Sequence, residues 1–132
     1  MLKPNTEKFD QYLVDRVEQR LKSNGLTEIK NMMGGLIFMV DYKMCIGIDK
    51  DRKTGEDRLM VRVGKAPYEK LLFKKGSREM DFTGKVMRGF LFISPDGFDS
   101  DEDLDFWIQK ALEFNQTIEM SAKQKKKLTE GK

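Results

Sequence analysis

Between residues 28 and 63 the apolar residues alternate with a period of two, and the breaks at Gly34-Gly35, Asp41-Tyr42 and 49–57 are short. A two-residue period belongs to strands, and strands joined by such short breaks pair antiparallel, because a parallel return needs a dozen or more connecting residues. This stretch therefore predicts three or four antiparallel strands. Asp41-Tyr42 fits a tight hairpin connection, and Asp49 to Asp57 reads as a long, charged, solvated loop. A second strand pair is expected at about 78–82 and 86–94, after Gly76.

Helical spacing flanks the strands. Phe9, Leu13, Val17 and Leu21 recur every four positions, which predicts an amphipathic helix over 6–24 that lies on the sheet. Asn5 or Thr6 is expected to cap its start and Gly25 its end. A short helix is expected after Pro67, running through Tyr68, Leu71 and Leu72. Pro95-Asp96-Gly97 turns the chain into a last helix over 101–118. That helix carries Leu104, Trp107, Ile108, Ala111 and Leu112 on one stripe, with Ser100 and Asp103 placed as a capping box. The expected architecture is a two-layer α+β domain, an antiparallel sheet with flanking N- and C-terminal helices. Residues 1–120 form the expected domain, and 121–132 a lysine-rich, disordered tail.

Charge and composition narrow the chemistry. The segment 121–132 holds five lysines against one glutamate, a net +4; with the whole chain at +3, the rest sits near −1. A basic tail on a nearly neutral body weakens a whole-surface case for nucleic-acid binding. The chain has no histidine, which removes the commonest general base, and a single Cys45, which leaves no internal disulfide and no set of ligands for structural zinc. No cofactor is implied. The start of the chain lacks a secretory h-region, and no apolar stretch is long enough to span a bilayer, so the expected location is the cytoplasm, without membrane association.

Each candidate group has a plain reading beside the functional one. Cys45, in a strand-like setting, reads as a buried and inert thiol. Asp81 and Cys45 are the least implausible reactive groups, and no constellation joins them. Asp96, Asp99, Asp101, Glu102, Asp103 and Asp105 are dense enough to suggest a cation, but their spacing is not that of an EF-hand loop. Acids at a helix start complement its dipole, which is the better reading. Gly84 and Gly89 have phosphate-loop separation, yet Phe90-Leu91 stands where Lys and Ser/Thr are required. Gly34 and Gly35 read as a structural glycine loop, needed for turn geometry, a bulge or close backbone approach.

Seven of the nine methionines fall between residues 32 and 87. Strand alternation sends Leu36, Phe38 and Val40 to one sheet face and Ile37 and Met39 to the other; Leu59, Val61 and Val63 likewise oppose Met60 and Arg62. Helices cover one face of a two-layer domain, so the second face is either an irregular methionine-filled core or a partner surface carrying Met39, Met60 and Arg62. Its expected occupant is a protein partner, possible forms including a homodimer. A nucleic-acid surface built on Arg58, Lys85 and Arg88, with Tyr68, Phe73 and Phe82 interleaved and the lysine tail assisting, is the alternative.

Several ordered motifs between about residues 9 and 118 resemble the TfoX N-terminal domain family. They are Met33-Gly34-Gly35, the strand around Met44, Leu59-Met60-Val61-Arg62-Val63-Gly64, Met80-Asp81-Phe82-Thr83-Gly84 with Met87-Arg88-Gly89, and Trp107 followed by Ala111-Leu112. Met33 stands where the family usually has phenylalanine. The resemblance implies a two-layer α+β fold with an antiparallel sheet and no established catalytic or cofactor residues. It also implies a regulatory role, since TfoX/Sxy proteins promote competence through transcription and carry a second, helical domain. The 132 residues end before such a domain, so the expectation is a stand-alone N-terminal unit acting through a transcription-associated partner.

Overall fold

The computed structural model describes residues 4–82 and 84–118. Its elements run α1 (Gln11–Lys22), β1 (Leu26–Met32), β2 (Gly35–Val40), β3 (Lys43–Lys50), β4 (Asp57–Arg62), α2 (Tyr68–Leu71), β5 (Ser77–Phe82), β6 (Lys85–Ile93), a 3-10 turn (Pro95–Gly97) and α3 (Asp101–Asn115). The six strands make one antiparallel sheet in the order β1-β2-β3-β4-β6-β5, with helices before and after it, so the fold is α+β as expected. The expected tail at 121–132 lies outside the described residues.

The hairpin turns follow from their residues. Asp41 and Tyr42 hold φ of 53° and 64°, and Met33 and Gly34 hold 56° and 76°, the left-handed pairs that two-residue type I′ connections require. Gly34 supplies φ freedom in open space. Gly35 answers a different need: a Cβ there would sit 2.9 Å from the Ile48 carbonyl oxygen and 3.0 Å from Met60 Cε. Gly64, at φ +83°, permits the close approach of α3, since a Cβ would lie 2.4 Å from Phe114 Cδ1.

One apolar layer joins the helices to the sheet. Leu13, Val17 and Leu21 of α1 and Leu104, Trp107 and Ile108 of α3 pack on Leu36, Phe38, Ile46, Leu59 and Leu91. The Trp107 indole N–H donates to the Gly97 carbonyl at 3.1 Å, fixing the turn that feeds α3. Arg16 and Arg20 of α1 reach the Asp101 carboxylate at 3.2 and 3.0 Å, and Arg20 also reaches Asp105 at 2.5 Å. Hydrogen bonds from Arg16 and then Arg20 hold the Asp101 carboxyl below its ordinary pKa. The acidic run at the start of α3 therefore serves the helix start and its clasp on α1.

Three boundaries differ from expectation, the first helix ending at Lys22 with Ser23 as its cap rather than at 24 with Gly25. The first helix begins at Gln11, not residue 6, because Asp10 is its cap: the Asp10 side chain accepts from the Tyr12 amide at 3.0 Å. Asn5 instead bonds Asn31 on β1. The last helix stops at Asn115 rather than 118; Lys43 reaches in from β3 and donates hydrogen bonds to the Asn115 and Ile118 carbonyls at 2.8 Å each. Ser100 caps α3 as predicted, accepting from the Asp103 amide at 3.0 Å.

Candidate functional site

The sheet face away from the helices has its own apolar cluster: Ile37, Met39, Met60, Met80 and Phe92, all from strands. Half-buried Met32, Met44 and Phe90 pack against it. Pairing across rungs explains the grouping, because Met60 stands opposite Gly47 on β3 and Phe92 on β6, while Met39 stands opposite Met44. A Cβ at Gly47 would meet Met60 Cε at 2.7 Å and Ile37 Cδ1 at 2.9 Å. Gly35 and Gly47 thus open a trough in the sheet, and the thioether of Met60 fills it.

This packing corrects the expected partner surface. Met60 is 0% exposed and Met39 8%, so Met60 is sealed within the domain and Met39 nearly so. The Met60 thioether occupies the gap left by Gly35 and Gly47, and the Arg58 guanidinium lies over the neighbouring Phe92 ring. Of the three residues expected there, Arg62 alone is half-buried and within reach of the surface. Its guanidinium lies 5.4 Å from the Phe90 ring centre and 5.5 Å from that of Phe114, and burial lowers its pKa from the usual value.

Arg58 is tied down. Its guanidinium stacks 3.4 Å from the Phe92 ring centre and bonds both oxygens of Asp49, at 2.8 and 3.3 Å, across the β3–β4 rung. Asp51 lies 3.7 Å from Arg58 and accepts from Arg78 at 2.8 Å. The Lys53 backbone amide, first of several donors and charges, keeps the Asp51 carboxyl below its ordinary pKa. Together with Met33 and Gly34 these groups border a depression of about 990 Å³. The structure therefore brings Arg58 beside the glycine turn, and places Lys85 and Arg88 at the opposite end of β6. Lys85 is exposed, and Arg88 faces Glu69 at 3.6 Å. The three basic candidates do not converge. Sequence reading missed Phe92 and Phe90 as the aromatic partners of these arginines; their alternation in β6, matching that of Arg58 and Arg62 in β4, was the available signal.

Cys45 is fully buried, and burial pushes its thiol up to about 12. A folded pKa above the unfolded one means the native state holds its proton longer, so this contribution to stability is intact below about pH 9 and declines as pH rises toward 12. At pH 8 a thiol reagent such as dithionitrobenzoate is expected to label Cys45 at the unfolding rate, speeding up only with denaturant. Rapid labelling of native protein would disprove the burial. Among the described residues, no group of three or more Asp, Glu or Cys is placed to hold a metal ion, and no helix is long and apolar enough to cross a membrane.

No curated protein sequence matches the chain. The model of the TfoX N-terminal domain does, over residues 19–115, a span running from within α1 through all six strands to the end of α3. It takes in the glycine turn, the Met60 trough and the arginine–aromatic stacks. By this match over most of its length, the chain belongs to the TfoX N-terminal domain family.

Proposed function

We propose that the chain is a noncatalytic regulatory or adaptor domain of the cytoplasm that works by holding a protein partner, in the manner of TfoX/Sxy transcription and competence regulators. The observation that carries this reading is the second sheet face. It has an apolar cluster of strand residues with Met32, Met44 and Phe90 half-exposed around it, and Arg62 stacked beside them. Half-exposed methionine, aromatic and arginine side chains are those enriched where proteins dock. The nucleic-acid reading draws less support, since Asp49, Asp51 and Glu69 engage the charges of Arg58, Arg78 and Arg88.

Capture of host proteins on immobilised chain, with and without nuclease, tests it. A partner that survives nuclease is expected, and Met44→Glu or Arg62→Glu is expected to weaken its capture at least tenfold, or about 1.4 kcal/mol. Both variants should keep the far-UV circular dichroism of the parent. Undiminished capture by both would reject this face, and loss of every bound species with nuclease would reject the adaptor role.

A further inference from the structure

The two edges of the sheet are unlike. Along β1, Asn5 and Asn31 exchange two hydrogen bonds, Asn5 N to Asn31 Oδ1 at 3.1 Å and Asn31 Nδ2 to the Asn5 carbonyl at 2.9 Å, so the preceding segment is tied beside the strand. Among the described residues, β5 pairs with β6 alone. An edge strand presents backbone N–H and C=O groups to any strand laid alongside it.

The side chains of β5 say which strand. Between the rungs Glu79↔Leu91 and Asp81↔Val86, the single residue Met80 spans Met87 to Phe90, so the extra length lies in β6 and β5 keeps its alternation. Met80 accordingly points into the buried cluster, while Glu79 and Asp81 are both exposed. Arg78 points to the Met80 side and bonds Asp51. One side of the edge is thus acidic at two alternate positions, about 7 Å apart at strand rise. An antiparallel second copy, related by a two-fold axis through the sheet, would set Glu79 against Asp81 or against itself. Like charges directly opposite are destabilising. Lysine or arginine at alternate positions of an incoming strand meets both carboxylates favourably.

We propose that the β5 edge is a strand-addition site for a basic extended segment of a protein partner, with Glu79 and Asp81 selecting its alternate lysines or arginines. This rests on the adaptor reading and names the chemistry of what it holds. Main-chain hydrogen bonds supply affinity in such complexes and the alternate side chains supply choice.

The probe is a fluorescent hexapeptide, Lys-Val-Lys-Thr-Lys-Val, titrated against the full chain by anisotropy. Binding is expected, weakened about tenfold or more by alternate backbone N-methylation of the peptide and by the double substitution Glu79→Lys with Asp81→Lys. Amide exchange in Ser77–Phe82 should slow on addition. No binding, equal affinity for the methylated peptide, or unchanged exchange in that strand would each overturn the site. So would binding that emerges only when Lys123, Lys125 and Lys127 are replaced by serine, which would make the chain's own tail the occupant. The two readings fail separately: a partner held equally by parent and charge-reversed chain removes the edge and keeps the adaptor role, whereas absence of any partner removes the role.

Discussion

Replacing Met60 by glutamate is expected to cost the domain about 3–5 kcal/mol, enough to leave much of it unfolded if its stability lies at the low end, about 5 kcal/mol, of the common range of about 5–15 kcal/mol. Met60 is fully buried, and its Cε rests in the space left by Gly35 and Gly47. A carboxylate placed there loses its water. The nearest cations on the same strand face are Arg58 and Arg62, two residues away on either side, and neither is disengaged: Arg58 is held by Asp49 and Phe92, and Arg62 lies between Phe90 and Phe114. Pairing with Met60→Glu would break one of those arrangements. Met60→Leu conserves volume and should cost less than about 1.5 kcal/mol. Urea unfolding followed by circular dichroism separates the two variants. If Met60→Glu stays within about 1 kcal/mol of the parent, the second face opens to water and the closed cluster is wrong.

The sequence reading and the structure part company at this residue for a definable reason. Period-two alternation placed Ile37, Met39 and Met60 on the face away from the helices, and they are there. That face was read as either a methionine-filled core or a partner surface, and for Met39 and Met60 it is the core. Alternation cannot show that Gly47, across the rung, leaves a hollow for Met60, because that depends on the register of β4 against β3. The Asp41-Tyr42 hairpin was legible because its turn is local, whereas the break read at Gly34-Gly35 falls one residue earlier, at Met33-Gly34, with Gly35 opening β2. The clasp of Arg58 on Asp49 and Asp51 was not legible, although Asp49 and Asp51 lie in the charged run that was read as solvated loop. Their partners arrive from β4 and β5, and the charges are consumed where they meet.

Lys43→Met is expected to destabilise the domain by about 2–4 kcal/mol and to loosen the end of α3 before the rest. The last turn of α3 contains no basic residue, so its carbonyl end lacks the usual local counter-charge. Lys43 supplies one from the β2–β3 hairpin, 5% exposed, with Nζ 2.8 Å from the Asn115 and Ile118 oxygens and 3.6 Å from Asp41. Asn115 answers by donating its side-chain amide to the Val40 carbonyl at 3.1 Å, so hairpin and helix end are locked reciprocally. Methionine keeps most of the stem packing and removes the charge, leaving the buried Asn115 carbonyl without its cation. Amide exchange should accelerate first in the final turn of α3, ahead of the sheet. Phe114 occupies that turn, packed on Gly64 and beside Arg62, so loosening it should also release Arg62 and, under the adaptor proposal, weaken partner capture at the Arg62 side of that face. Unchanged stability and unchanged exchange in α3 would mean that water, not Lys43, satisfies the helix end.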